Sequence, residues 1–237
     1  MTGSELAQGV LVVVPTFGDS ASIGRLVNEI QSLGNRFQAL VIDDGSHEPI
    51  PAQEGALSVR LPANFGLGVA MHVAFDHAQA AGYTYVVRVD GDGQHLTQDI
   101  PRLVKCLDEG SDVVIGERGL RLRSASLREI LAFCIKWYFF MASRLVAGRK
   151  LPKDVTSGFQ GFGPRAILAL NSDMDIERYP EPQLLIAALK AGLKVQSIQV
   201  EEQSRSSGRS TIDVGKGVQI VYRFNILLLR QIVQRKR

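Results

Sequence analysis

The chain has few of the residues that hold small or extracellular folds together. Its 237 residues include two cysteines, Cys106 and Cys134, and one tryptophan. Both cysteines lie in segments with the pattern of amphipathic or apolar helices, and two are too few for a disulfide-built fold or a zinc ribbon. The cysteine content therefore favours a protein of the reducing cytosol.

Long uninterrupted hydrophobic runs are missing as well. The longest apolar stretches, Ile130–Ala147 and Phe224–Val233, are broken by basic residues, whereas a bilayer span needs about 20 consecutive apolar residues. The run Val10–Val14 is too short for the core of a signal peptide and follows no basic stretch. We therefore expect neither a membrane span nor a secretory leader.

Charge is nearly balanced overall but unevenly distributed. The net charge is +3, yet Arg118–Lys153 holds nine basic residues against one acid, and Arg205–Arg237 holds eight against one. The first 117 residues are correspondingly acidic. The later segments therefore favour an anionic partner such as phosphates, nucleic acid or a membrane face, with a solvated helix face as the alternative.

The pattern that is present is that of an α/β fold. Apolar residues make up 45% of the chain and charged residues 22%, which excludes disorder and collagen-like structure. Short β-rich runs alternate with helical spacing through the first half, so we predict one α/β domain with a mostly parallel central sheet flanked by helices. The predicted strands are Val10–Val14, Ala39–Ile42, Leu57–Leu61, Tyr85–Val89 and Val113–Ile115. The clearest predicted helices cover residues 23–33, 69–78, 130–146 and 183–191.

Polar clusters follow three of these strands. Pro15–Asp19, Asp43–Ser46 and Asp90–His95 each come directly after a predicted strand. Because ligands of open parallel sheets bind outside the carboxyl ends of the strands, we expect the functional site at this edge.

Asp90, Asp92 and Gln94 have the spacing of a divalent-cation site. Residues i and i+2 of an extended segment project to the same side, so their oxygens can converge. Two carboxylates and an amide oxygen suit Mg²⁺ or Mn²⁺, and Gly91 and Gly93 would let a bulky ligand approach. For this motif alone, a solvated turn after a strand is the alternative.

Two further motifs are ambiguous by themselves. Asp43–Ser46 fits a turn, and Asn64–Ala70 places glycines at a helix start, as in a phosphate-cradling turn. The second motif reads Gly-x-Gly-x-x-Met and lacks Gly-Lys-Ser/Thr, which argues against both a conventional dehydrogenase and a P-loop nucleotide hydrolase.

Six motifs occur in order between Val10 and Ile212. They are Pro15-Thr16-Phe17, Asp43-Asp44-Gly45-Ser46, Asn64-x-Gly66-x-Gly68-x-Ala70, Asp90-x-Asp92-x-Gln94-His95, Gly116-Glu117-Arg118 and Asp154-x-x-Ser157-Gly158-Phe159. Together they resemble the family 2 glycosyltransferases, and most closely the branch of dolichyl-phosphate or polyprenyl-phosphate mannosyltransferases. The resemblance implies a GT-A type, Rossmann-like fold and inverting transfer of a hexose from a nucleotide-diphosphate sugar.

The resemblance also implies roles for residues on the donor side. The Mg²⁺ or Mn²⁺ ion falls to Asp90, Asp92 and Gln94, with Asp92 catalytic, where the ion would neutralise charge on the leaving nucleoside diphosphate. The nucleotide sugar falls to a larger set that shares the strand ends: Pro15, Thr16, Phe17, Asp19, Asp44, Asn64, Gly68, Asp90, Gly91 and Asp92. Phe17-Gly18-Asp19 departs from the Tyr-Asn-Glu of the family, so a shorter acid stands at its end.

On the acceptor side, the resemblance implies phosphate contacts by arginines. Arg118 and Arg128 match phosphate-contacting positions, and the forked guanidinium suits phosphate oxygens. The acceptor pocket would be shaped by Asp154, Ser157, Gly158 and Phe159, and Arg205 and Ser210 lie in a loop that would close over the donor. The alternatives are surface solvation for Arg118, a helix-face charge for Arg128 and a plain mobile loop for Arg205–Ser210. Glu117 replaces the serine of the family and would repel a phosphate, so either it points away or the acceptor differs from that of the family.

Glu181 separates two classes of acceptor. A hydroxyl acceptor needs a general base, and Glu181 stands where many relatives carry one, whereas a phosphate acceptor is largely ionised at neutral pH. The alternative for Glu181 is a carboxylate favoured by the dipole at a helix start.

We therefore expect a catalytic domain over residues 1–212 and a basic amphipathic helix over 213–237. The expected reaction is hexose transfer to a polyprenyl phosphate at the cytoplasmic membrane face, by a protein bound peripherally or through a membrane-protein partner. The alternatives are a sugar or other hydroxyl acceptor with Glu181 as base, and a catalytically silent sugar-nucleotide-binding protein. A homo-oligomer stays open, and nucleic acid is disfavoured because the basic segments contain bulky aliphatics rather than an aromatic platform.

Overall fold

The structure is a computed structural model that describes residues 9–18, 22–118, 127–147, 151–173, 181–201, 222 and 224–226. The strands of this part of the chain are β1 (Val10–Thr16), β2 (Phe37–Asp43), β3 (Leu57–Arg60), β4 (Tyr85–Arg88), β5 (Val113–Arg118), β6 (Gln160–Phe162) and β7 (Val195–Val200). Its α-helices are α1 (Ile23–Ser32), α2 (Leu67–Ala81), α3 (Ile100–Asp108), α4 (Leu127–Ala147), α5 (Pro164–Asp173) and α6 (Glu181–Lys190).

The strands form one sheet in the order β3-β2-β1-β4-β6-β5-β7. β6 runs antiparallel to both of its neighbours, β4 and β5, while the other pairs are parallel. The carboxyl ends of β1, β2, β4 and β5 therefore lie at one edge, and the residues that lead into β6 reach the same edge.

Helices cover both faces of the sheet and create two core layers. Leu11 and Val13 of β1 pack with α2, α4, α5 and α6, whereas Val10, Val12 and Val14 pack with α1 and α3. This alternation is the period-two pattern of a strand buried on both faces. Each fully buried Leu, Ile or Val contributes about 1.5–3 kcal/mol, so these layers fix the strand ends that carry the site.

The predicted fold class is confirmed, and all five predicted strands are present. The sequence pattern missed β6 and β7, which lie in the second half of the chain. α2 ends at Gly82, whose φ of +78° is a left-handed cap. Ser22 occupies the N-cap position of α1, but its side chain makes no cap hydrogen bond.

The predicted helix over residues 130–146 corresponds to α4. None of the helices that the structure describes combines the length and the hydropathy needed to cross a membrane. Of the predicted helix over 213–237, only residues 222 and 224–226 are described, and they are helical.

Candidate functional site

The turn after β4 places Asp90 and Asp92 at the carboxyl edge of the sheet. The Ser22 hydroxyl, at the start of α1, donates a hydrogen bond to the carbonyl of Gly91. The backbone N–H of Gln94 donates to Asp92 Oδ1 at 3.1 Å. Asp90, Asp92 and Gln94 are each half-buried, so solvent reaches the turn on which the three predicted cation ligands lie.

Asp90 is flanked by two buried side chains. Arg88 Nη2 donates to Asp90 Oδ1 at 2.7 Å, and His95 Nε2 lies 3.6 Å from Oδ2. Burial by itself raises the pKa of Asp90, but the charge of Arg88 and the contact with His95 outweigh burial and hold that pKa well below its usual range. Asp90 is therefore a carboxylate at neutral pH.

The segment before β6 closes over Asp90. A Cβ atom on Gly158 would overlap the Asp90 carboxylate, and the Phe159 ring stacks on His95 with centroids 5.1 Å apart. Ser157 Oγ donates to the carbonyl of Gly116 at 2.6 Å. Since Ser157 and Phe159 are fully buried, they support the turn after β4 in this structure. Their predicted role in shaping the acceptor pocket stays a prediction.

Two buried carboxylates, Asp43 and Asp44, lie at the carboxyl end of β2. Asp44 Oδ1 and Oδ2 accept hydrogen bonds from the N–H groups of Phe65 and Gly66, both at 2.8 Å, which ties β2 to the start of α2. Asp43 Oδ1 accepts from the backbone N–H of Ser46. Burial raises the pKa of Asp43, but hydrogen bonds from Ser46 and Ile50 together with the charge of Arg60 hold it below the ordinary value.

Two exposed phenylalanines lie at the same edge. Phe17 follows β1 and Phe65 precedes α2, and 42% and 49% of their surfaces are accessible. Thr16 is buried, while Pro15 and Asn64 are half-buried, and Gly68 lies in the first turn of α2. The structure thus brings the described donor-side residues to one edge, with the Phe17 ring open to a ligand.

Arg118 at the end of β5 is paired with Asp154. Its Nε and Nη2 donate to the two carboxylate oxygens at 2.6 and 3.1 Å, and Nη2 also donates to the Thr156 carbonyl at 3.0 Å. Glu117 is buried and accepts hydrogen bonds from Lys153 N at 2.7 Å and Gln199 Nε2 at 2.8 Å. Both oxygens of Glu117 thus accept hydrogen bonds from protein groups, and its relation to an acceptor phosphate stays a prediction.

Several predicted residues lie outside the described part of the chain. They are Asp19, Arg205 and Ser210. The backbones of Arg128 and Glu181 lie in the first turns of α4 and α6, but their side chains are not among those described. Their roles stay predictions.

Two residues of the site had no role assigned from sequence. Arg88 occupies a strand that otherwise reads as apolar, and a charge in such a strand is the signal that could have identified it. His95 belongs to the cation motif, but only the fold reveals that it is 4% exposed and packed on Phe159.

The donor set fits a hard divalent cation. No group of three or more His, Cys, Asp or Glu side chains within the described ranges is arranged to hold a metal by itself. Mg²⁺ and Mn²⁺ often use few protein oxygens and fill the remaining positions with water and substrate phosphates. The side-chain oxygens of Asp90, Asp92 and Gln94 are such a set.

A mostly parallel α/β sheet with two carboxylates after β4 is the arrangement that the resemblance to GT-A glycosyltransferases implies. Residues 11–158 match the family model described as glycosyl transferase family 2, and the chain belongs to this family. The predictions of the family and of glycosyltransferase activity are confirmed.

Curated relatives agree with this assignment, and a solved structure shares the fold. The chain is 26% identical over 218 residues to polyprenol monophosphomannose synthase of Mycolicibacterium smegmatis, covering 86% of this chain and 80% of the relative. It is 23% identical to undecaprenyl-phosphate mannosyltransferase of Micrococcus luteus, covering 92% and 94%. Glucosyl-3-phosphoglycerate synthase of Mycobacterium tuberculosis, solved with Mn²⁺, UDP and phosphoglyceric acid, superposes with a TM-score of 0.67 at 19% identity, covering 90% of this chain and 76% of that one. The fold prediction is thereby supported by a GT-A enzyme.

Proposed function

We propose that the protein transfers a hexose from a nucleotide-diphosphate sugar to a polyprenyl phosphate. The observation that carries the proposal is the turn after β4, where Asp90, Asp92 and Gln94 come together beside the ends of β1 and β2. The names of the two curated relatives support the lipid phosphate as acceptor.

The donor side would bind the nucleotide and its diphosphate. Asp90, Asp92 and Gln94 would hold Mg²⁺ or Mn²⁺, which supplies charge neutralisation for the departing diphosphate. Phe17 and Asp44 would contact the nucleoside, with Phe17 offering an exposed ring. An acceptor phosphate oxygen forms a bond to the anomeric carbon as the bond from that carbon to the diphosphate oxygen breaks.

The acceptor side would bind the lipid phosphate through arginines. Arg118, Arg128 and Arg205 remain the candidates, and in this structure Arg118 also anchors Asp154. Glu117 beside Arg118 accepts hydrogen bonds from the backbone N–H of Lys153 and the side-chain amide of Gln199, so both of its oxygens already have protein partners.

An apolar stripe on α4 would bring the site to a membrane. Trp137, Met141 and Leu145 are exposed at helical spacing, beside the exposed Cys134 and Arg144. Spacings of four residues place the three apolar side chains on one helix face.

A helical piece made of residues 222 and 224–226 extends this apolar surface. This helical piece packs on α4. The Tyr138 hydroxyl donates a hydrogen bond to Asn225 Oδ1 at 2.6 Å, and the ring centroids of Phe139 and Phe224 lie 4.7 Å apart. Its Tyr222 and Ile226 are also exposed. A mixed basic and apolar surface of this kind suits the interface of an anionic membrane.

The membrane contact can be measured by vesicle flotation. The double variant Trp137→Ser/Leu145→Ser should bind anionic vesicles severalfold more weakly than the native chain. Leu168→Ser is the control because Leu168 is an isolated exposed leucine on α5. Equal binding by the double variant and the native chain would exclude this surface.

Turnover with a panel of nucleotide sugars tests the reaction. With Mn²⁺ present, nucleotide release should require polyprenyl phosphate and occur with one or a few donors. Release that depends instead on a sugar or another hydroxyl acceptor would support the alternative acceptor class.

Glu181→Gln separates the two acceptor classes further. An ionised phosphate needs no base, so the variant should keep most of its turnover with polyprenyl phosphate. A loss of about 100-fold or more would indicate a general base and a hydroxyl acceptor.

A further inference from the structure

Protein side chains contact both carboxylate oxygens of Asp90. Arg88 Nη2 donates to Oδ1 at 2.7 Å from within β4, and His95 Nε2 faces Oδ2 at 3.6 Å from the far side of the turn. Both partners are buried, with 3% and 2% of their side chains exposed, while 33% of the Asp90 side chain is exposed. The flanking side chains are therefore inside the protein, and the carboxylate between them faces the site.

His95 is itself fixed by packing. Its ring stacks on Phe159 with an interplanar angle of 24°, and its Nδ1 is buried without a hydrogen-bond partner in the described part of the chain. Phe159 is held by a backbone hydrogen bond from Gly116 N to its carbonyl at 2.9 Å, and its ring leaves no room for a Cβ on Gly116. The only hydrogen-bonding atom that His95 directs at the site is thus Nε2, toward Asp90.

Burying the Arg88 guanidinium costs desolvation free energy that a purely structural role would not require. In the sheet it pairs with Val13 of β1 and Gln160 of β6, and its neighbours in β4 are apolar. A buried ion pair is often no more stable than well-packed apolar residues of similar volume. A guanidinium at this position therefore points to a task at Asp90.

We infer that Arg88 and His95 are positioning residues that fix the orientation of Asp90 for the divalent cation and the donor. The inference rests on the proposed function, because it assigns a task at the same cation site. Arg88 holds Oδ1 in line with the strand, His95 limits rotation at Oδ2, and Gly158 leaves no space above the carboxylate for it to turn. Asp92 and Gln94 complete the ligand set from the more open part of the turn.

Variants at His95 separate the contact of Nε2 with Asp90 from the packing of the ring on Phe159. His95→Phe keeps a ring on Phe159 but loses Nε2, whereas His95→Gln keeps a nitrogen donor near Asp90 but loses the ring. Replacing a group that orients a metal ligand typically lowers the affinity for the metal 10–100-fold. We expect Mn²⁺, titrated alone and followed by electron paramagnetic resonance, to bind about tenfold more weakly to His95→Phe, with affinity largely restored in His95→Gln.

Arg88→Lys tests the guanidinium at constant charge. Lysine preserves the positive charge but not the geometry of the fork, so a change in Mn²⁺ affinity reports orientation rather than Coulomb repulsion. We expect weaker Mn²⁺ binding by about tenfold, together with a higher donor KM. If this variant does not fold, the two His95 variants carry the test.

His77→Phe is the matched control. His77 also has a buried Nε2 without a hydrogen-bond partner among the described residues, but it lies on α2 against Tyr83. It should leave Mn²⁺ affinity unchanged even if the melting temperature falls. Folded His95→Phe and Arg88→Lys proteins with native Mn²⁺ affinity would overturn the inference alone. A native chain that binds no Mn²⁺ would overturn the cation site of the proposed function as well.

Discussion

The site contains two arginine–carboxylate pairs that have different roles. Arg88 and Asp90 are two residues apart at the end of one central strand, and Arg118 and Asp154 are 36 residues apart and join β5 to the segment before β6. The first pair orients a side chain within a turn that β1 and α1 already hold. The second pair holds a segment in place, and that segment covers Asp90 through Gly158.

The sheet positions the residues of the donor side. Segment 151–159, called the cover because it lies over Asp90, is held instead by a few long-range contacts. Parallel neighbours fix the ends of β1, β2 and β4 along their whole register. The segment 151–159 depends on Asp154, Ser157 and Lys153, each of which bonds to β5. Changes in segment 151–159 should therefore alter the position of Asp90. Variants in this segment test whether the two arginine–carboxylate pairs differ in this way.

Gly158→Ala should have the largest effect. The added methyl group would overlap the Asp90 carboxylate, so either the cover lifts or Asp90 rotates. A displacement of about 1 Å at a reacting centre can cost 100-fold, and overpacking costs about 1–3 kcal/mol. We expect turnover to fall by about 100-fold or more, measured with donor and acceptor saturating.

Gly163→Ala is the control for that variant, since its Cβ would meet nothing closer than 3.4 Å. It should keep near-native turnover. A Gly158→Ala enzyme as active as the control would mean that the cover does not rest on Asp90.

Asp154→Asn should have the next largest effect. Asp154 and Arg118 are both largely buried, and removing one charge from a buried pair costs about 3–5 kcal/mol. Urea unfolding should show a loss of that order. The exposed pair of Arg36 and Asp108 gives the contrast: Arg36→Met should cost less than about 1 kcal/mol. Equal losses of unfolding free energy in the two variants would contradict the distinction between the buried Arg118–Asp154 pair and a surface ion pair.

Acid titration should show a smaller effect at the end of β2. The pKa of Asp43 is lower in the folded protein, so its contribution to stability is present above the unfolded pKa and is lost as pH falls through the folded value. Asp43→Asn should make the free energy of unfolding depend less steeply on pH below about 4. An unchanged slope would show that Asp43 is not preferentially ionised in the fold.

The donor side was largely predictable from sequence because it follows from local patterns. Apolar runs give β1, β2 and β4, and the carboxyl-edge rule then places Thr16, Asp44 and Asp90 together. The three-residue strand β6 could not be found in this way, because Gln160-Gly161-Phe162 has no strand pattern of its own and forms only between β4 and β5.

Partners of individual side chains were the least predictable part of the site. Pairing of Arg118 with Asp154 and burial of Phe159 depend on contacts between residues far apart in the chain. From sequence, Arg118 suits a phosphate as well as a carboxylate, since its fork binds both. Only the fold shows that a carboxylate already contacts it.

The most direct test of the central claim is transfer of labelled sugar into lipid. The native chain, supplied with Mn²⁺, the donor selected from the panel and polyprenyl phosphate, should move the labelled hexose into the organic phase. Asp92→Asn should abolish that transfer, and Asp76→Asn, a carboxylate change on α2, should not. Equal lipid labelling by the native chain and Asp92→Asn would contradict the account, as would labelled sugar that never reaches the lipid.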